Sequence, residues 1–136
     1  MDFEKLRENR NETNRFLRML GARITNIEEG SATVELEPSE DEQNPSGAVH
    51  GGCLFTIADI AAGTAACAYG FHAVTVSSSF NYLNPGLGTT KLIATSRELK
   101  RGKRILFYEV GVTDQDGKLL CSGQFTIMLL GKELDI

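Results

Sequence analysis

The spacing of hydrophobic positions along this chain changes several times, and each change marks an element. Over residues 2–20, Phe3, Leu6, Thr13, Phe16, Leu17 and Leu20 fall near one face of a helix, and Gly21 stands where a C-terminal glycine cap is expected. From Ile24 to Glu37 the period drops to two. Ala32, Val34 and Leu36 alternate with Thr33, Glu35 and Glu37, and Glu29-Gly30 supplies the turn of a hairpin. Residues 38–47, PSEDEQNPSG, are polar, hold two of the three prolines and read as loop. From Cys53 to Tyr69 the chain is apolar on every face, broken only by Asp59. Gly70 ends that segment, and His72 to Leu83 returns to a period of two, with Val74, Val76, Ser78, Phe80 and Tyr82 on one side. Asn84-Pro85-Gly86 closes this strand. Two more are predicted over Thr89–Leu99 and Arg104–Thr113, joined by the basic turn Lys100-Arg101-Gly102-Lys103. Asp116-Gly117 then leads into a last strand over Leu119–Leu130.

The 53–69 segment decides the architecture. A surface helix shows one apolar stripe, whereas this one needs covering on nearly every side. Lipid is a poor cover for it. The span is short for a bilayer, rich in Ala rather than Leu, and carries Asp59 near its centre, where an acid costs about 2.5–3.5 kcal/mol. The alternative is protein. Ala58, Ala61, Ala62, Gly63, Ala65, Ala66 and Ala68 are small enough to let strands approach closely. The expected fold is therefore α+β, a long central helix wrapped by a curved, mainly antiparallel sheet with a further helix at the N-terminus. That is the hot-dog arrangement, with residues 1–136 as a single domain.

Composition narrows the function classes. With 41% hydrophobic and 24% charged residues the chain has the make-up of an ordinary globular domain. A formal charge of −4 argues against a nucleic-acid partner, which calls for a basic face. Cys53, Cys67 and Cys121 make an odd set with no CxxC pair, so neither a disulfide framework nor a metal site is indicated, and buried thiols in a reducing compartment are expected. MDFEKLREN contains no apolar stretch of the kind found in signal peptides, which sets a cytoplasmic expectation.

Two features of the central segment carry chemistry. At His50-Gly51-Gly52 a loop meets the first turn of a helix, where backbone N–H groups are unpaired and glycines let a ligand oxygen come close; that is the equipment of an oxyanion hole. The same glycines would also serve a tight lead-in to a crowded helix. Asp59 has no Lys, Arg or His one turn away on its helix, so local pairing does not account for it. It is either tied to an N–H or hydroxyl of a strand, or acts as a general base or nucleophile in a dry site. Gly51 and Asp59 lie eight residues apart, about 12 Å along a helix. One carbonyl cannot readily reach both from one chain, whereas an antiparallel second copy would bring its Asp59 beside the first copy's Gly51.

Asn44, His50-Gly51-Gly52 and Asp59, in this order and spacing, resemble the signature of the hot-dog acyl-CoA thioesterases of the phenylacetic-acid-degradation type, which are related to the 4-hydroxybenzoyl-CoA thioesterases. The order of elements is similar over nearly the whole chain. The resemblance implies that Asp59 is base or nucleophile toward a thioester carbonyl and that the Gly51 N–H polarises it. It also implies that Asn44 orients the attacking water or the thioester, and that a hydroxyl on the following strand assists, Thr75 or else Ser77. It further implies an acyl-CoA substrate, a homodimer as the catalytic unit, pairing of two such dimers, and no cofactor or metal.

Several side chains remain open between two roles. His50 either hydrogen-bonds the thioester or braces the loop. Gly52 shares the N–H cluster with Gly51, and Phe80 and Tyr82 are placed to close over the acyl group. Lys100, Arg101, Lys103 and Arg104 form either a solvated turn or a cationic rim for the phosphates of coenzyme A. Two rival functions are a hydratase or dehydratase, which needs a histidine paired with an acid, and a non-enzymatic acyl-CoA binding module.

Overall fold

A computed structural model describes residues 1–136. The N-terminal amphipathic pattern becomes two helices, α1 (Phe3–Thr13) and α2 (Arg15–Met19). Asn14 breaks it: its backbone is extended, and its side chain accepts the Leu17 N–H at 3.1 Å as the N-cap of α2. Leu6 and Leu17 are the side chains these helices bury. The strands follow as β1 (Ala22–Glu28) and β2 (Ser31–Leu36). A single 3-10 turn then occupies Glu40–Glu42, and the central helix α3 covers Gly51–Cys67. The last four strands are β3 (Phe71–Tyr82), β4 (Leu92–Arg101), β5 (Ile105–Thr113) and β6 (Leu119–Glu133).

All six strands form one antiparallel sheet in the order β1-β2-β4-β5-β6-β3, with α3 against every strand. The two edges are treated differently. Sequence patterning puts the N-terminal helix across the outside of the sheet; it lies instead along the β1 edge. The Asn11 side chain donates to the Ile24 carbonyl at 2.9 Å and accepts the Ile24 N–H at 2.8 Å, imitating a neighbouring strand. The β3 edge has no such cover, and Val74 to Ser79 are exposed.

Strict alternation along β3 also fails, and the failure matters for the site. The register runs Val74 opposite Met128 and Thr75 opposite Ile127, then jumps to Ser77 opposite Thr126 and Ser78 opposite Phe125. Val76 is therefore the extra residue of a β-bulge. Because Phe125 and Ile127 are fully buried, Thr75, Ser78, Phe80 and Tyr82 share the inner face, while Val74 and Ser77 share the outer one. Val74 and Val76 thus leave the side on which period-two patterning places them. Phe80 packs edge-on against Phe55 and Tyr82, at 5.4 and 5.2 Å between ring centres, and its atoms occupy the space a Cβ at Gly123 would need.

Covering of α3 is incomplete on one side. Gly51, Gly52, Phe55, Thr56, Asp59, Ile60 and Gly63 form a single stripe that is not buried, whereas the rest of the helix is. The enclosure expected on nearly every side thus stops at this stripe. Gly70, at φ +95°, releases the chain from the helix toward β3. No helix is long and apolar enough to cross a bilayer.

One buried hydroxyl pins α3 to the sheet. Ser96 on β4 is fully buried; its Oγ accepts the Ala32 N–H at 3.0 Å and donates to the Ala61 carbonyl of α3 at 3.0 Å. Ser96→Ala strands a buried N–H, which costs about 1–3 kcal/mol. Urea unfolding should show the midpoint fall by that loss divided by the slope, with the slope unchanged; an unmoved midpoint would show that the bond contributes nothing.

Candidate active site

The loop before α3 is held by its own hydrogen bonds. Asn44 Oδ1 accepts the Ser46 and Ala48 N–H groups at 2.9 and 3.1 Å, leaving its NH2 as the group free for a ligand. The His50 N–H donates to the Glu42 carbonyl at 2.7 Å, and the Val49 N–H to the Gly86 carbonyl at 3.1 Å. These bonds fix where α3 begins.

At the helix start the His50 side chain is the N-cap, its Nδ1 accepting the Gly52 N–H at 2.8 Å. That geometry requires a ring with its proton on Nε2. The Cys53 N–H is taken by the His50 carbonyl at 3.0 Å. Gly51 is left as the N–H of this turn without an acceptor in the chain. Of the two glycines, the geometry thus leaves Gly51, and not Gly52, with a donor to offer. The ring of Tyr82 lies over Gly51, where a Cβ would meet it at 3.1 Å, and the phenol donates to the Gly51 carbonyl at 3.0 Å. Gly51, Asn44 and Tyr82 line one hollow of about 340 Å³, walled by Leu54, Leu83 and Pro85.

Asp59 lines a different hollow, of about 300 Å³, between α3 and β3. It is half-buried, not enclosed as the sequence suggests. Its Oδ1 accepts the Thr75 hydroxyl at 2.6 Å, and Oδ2 has no partner in the chain. A strand hydroxyl therefore does hold this acid, yet half of the carboxylate is left to face a ligand. The bulge at Val76 decides which hydroxyl: Thr75 points inward to Asp59, and Ser77 lies on the outer face away from it.

Other expected residues are dispersed. Phe80 belongs to the aromatic cluster with Phe55, Tyr82 and Phe125. Lys100, Arg101, Lys103 and Arg104 stand at the far end of the sheet, near the C-terminus of α3, where the Arg101 guanidinium lies 4.4 Å from the ring centre of Tyr69. Three residues that sequence patterning does not single out as site residues line the Asp59 hollow: Arg10, Asn14 and His72. No histidine hydrogen-bonds Asp59. The three cysteines are free and buried, and burial pushes the Cys53 and Cys121 thiols up to about 11, which disqualifies both as thiolate nucleophiles near neutrality. No cluster of His, Cys, Asp and Glu of metal-binding size is present.

A central helix bearing an unpaired N–H at its start and an acid at its middle, wrapped by a six-stranded antiparallel sheet, defines a hot-dog protein. The profile of the thioesterase superfamily matches residues 46–121. The acyl-coenzyme A thioesterase PaaI of Escherichia coli is 31% identical over 99 residues, 73% of this chain and 71% of its own. Human acyl-coenzyme A thioesterase 13 is 30% identical, with 82% of each chain covered. Among solved structures, E. coli PaaI superposes with a TM-score of 0.91 over 97% of this chain and 96% of its own, at 25% identity. A Streptococcus mutans protein bound to acetyl-CoA superposes with a TM-score of 0.76 at 33% identity, over 82% of this chain and 90% of its own. The chain belongs to the thioesterase superfamily, as a PaaI-like hot-dog enzyme.

The cap at His50 can be separated from chemistry. His50→Ala should cost about 1 kcal/mol of stability, and His50→Asn, itself a good cap, should recover it together with turnover. A stable His50→Asn variant without activity would assign the imidazole to the reaction instead.

Proposed function

We propose that this protein hydrolyses acyl-CoA thioesters to the free acid and CoA, in two equivalent sites each built from two copies of the chain. The observation that carries this reading is the open stripe on α3. Gly51 and Asp59 both lie on it, they line separate hollows, and the neighbouring β3 edge is unpaired along its length. An antiparallel second copy covers the stripe, extends the sheet through β3, and sets the Asp59 of each chain against the Gly51 of its partner. CoA-bound relatives and relatives acting on acyl-CoA support the substrate.

In such a site the thioester oxygen accepts the Gly51 N–H at the positive end of the helix, and the developing oxyanion strengthens that bond in the transition state. The free oxygen of Asp59 takes a proton from water as its oxygen attacks the carbonyl carbon, and returns it to the departing CoA sulfur. The same position suits direct attack by the carboxylate, which breaks the C–S bond, releases CoA as its thiolate and leaves a mixed anhydride that water then hydrolyses to the free acid and the carboxylate. Thr75 fixes the carboxylate rotamer through its hydrogen bond, and the Asn44 NH2 orients the water or the thioester. A hydratase needs an acid paired with a histidine, and that pairing is missing: His72 shares the Asp59 hollow without bonding it.

In the antiparallel arrangement the basic stretch of one chain would lie beside the α3 N-terminus of the other; Lys100 and Arg101, expected in the turn, are the last residues of β4, with Lys103 and Arg104 in the turn beyond it. That position suits the CoA phosphates. Exchanging Lys100, Arg101, Lys103 and Arg104 together for Ala should raise KM for an acyl-CoA while leaving the corresponding pantetheine thioester unaffected. An unchanged KM would remove the turn from the binding site.

The shared site has a direct test. Asp59→Asn and Gly51→Val homodimers should each lose most turnover, since a general base contributes about 10²–10⁴-fold. Random mixing of the two makes half the dimers heterodimers, each with one intact site and one doubly altered site, so about a quarter of wild-type activity should return. Proof by differential tags that mixed dimers had formed, without recovered activity, would overturn the cross-subunit site.

A further inference from the structure

The hollow beside Asp59 has a chemical character of its own. From α3 it takes Asp59, Ile60, Gly63, Thr64 and Cys67, residues on successive turns running away from Gly51. At Gly63, one turn beyond Asp59, a Cβ would meet nothing within 4 Å in its own chain, which leaves space next to the carboxylate on the face that the proposed second copy covers. The far side of this space is bounded by the junction of α1 and α2, through Arg10 and Asn14. Anything extending along α3 from the carbonyl position past Asp59 runs toward these two residues.

Arg10 is the notable member. It is half-buried and makes no ion pair; the chain's salt bridges join Arg7 to Glu4, Lys91 to Glu35 and Arg97 to Glu109. Its single side-chain hydrogen bond is to the neutral Asn9 amide at 3.2 Å. Arg10 shares the hollow with the Cys67 thiol, whose pKa burial raises and Arg10 partly draws back down. A guanidinium presents donors in a rigid fork that matches a carboxylate. Cys67 lies eight residues after Asp59, about 12 Å along the helix.

Resting on the acyl-CoA hydrolase reading, we propose that the acyl group lies in this hollow and ends in a carboxylate held by Arg10, so that the preferred substrates are CoA monothioesters of dicarboxylic acids. Arg10 is then a specificity residue, remote from the bond being cleaved. Its counter-ion arrives with the substrate, which explains why none is built into the chain.

The same guanidinium chemistry could serve a CoA phosphate, and the experiment separates the two anions. Hydrolysis of a series from glutaryl- to suberyl-CoA is compared with neutral straight-chain acyl-CoAs of equal length, using wild type, Arg10→Met and Arg10→Lys. Wild type should favour the carboxylate series in kcat/KM, mainly through KM. Arg10→Met should reduce kcat/KM for that series by roughly 10- to 100-fold, with the neutral series unchanged and Arg10→Lys intermediate. Preference of wild type for the neutral series overturns the proposal. So does an equal loss on both series in Arg10→Met, which would assign Arg10 to the CoA phosphates. Calorimetric binding of the same pairs to Asp59→Asn reads the preference without turnover. A chain that binds the carboxylate series preferentially yet hydrolyses nothing would refute the hydrolase reading alone, and one that hydrolyses neutral thioesters only would refute this inference alone.

Discussion

The incomplete covering of α3 is the constraint from which the rest of the structure follows. Six strands surround a helix that is apolar all round, yet the stripe through Gly51, Phe55, Asp59 and Gly63 stays open. Beside it runs β3, twelve residues long with its outer edge unpaired. Proteins usually blunt such an edge, because a row of free N–H and C=O groups invites another strand. At the opposite edge this chain does so, with the Asn11 side chain bonded to both backbone groups of Ile24. One edge is closed and the other is left available. The open edge and the open helix face are adjacent, so a single partner surface satisfies both, and in the proposed dimer a second copy of the same chain supplies it.

This constraint also explains how much of the molecule is legible in its sequence. The order of strands, the hairpin at Gly30 and the central helix follow from periodicity, because each is set by which faces must be buried. The Gly51 and Asp59 positions follow too, since a glycine pair at a helix start and an acid in an apolar run are local anomalies. The bulge at Val76 does not. Val74, Val76, Ser78, Phe80 and Tyr82 alternate without fault, and only the register against β6 reveals that one residue is extra. That residue turns Thr75 inward to Asp59 and Ser77 outward, a choice the sequence leaves open. The break at Asn14 left a fainter mark, a capping residue inside an otherwise continuous helical pattern. Arg10 left none. Among the bases of an N-terminal helix nothing distinguishes it until the fold brings it to the hollow that Asp59 lines.

The hydrogen bond from Thr75 to Asp59 shows how a structural and a chemical role coincide. A carboxylate on an apolar helix face needs a donor, and the strand provides one at 2.6 Å. One bond leaves the second oxygen unsatisfied, so the residue is neither a fully tied structural acid nor a free surface one. In the proposed dimer that remaining oxygen faces the partner helix's N-terminus, which carries roughly half a positive charge. In that proposal the thioester carbonyl accepts the Gly51 N–H, and the bond strengthens with the charge that forms on the oxyanion. In the proposed dimer, the separation of Gly51 and Asp59 onto different chains is what would allow the substrate to come between them.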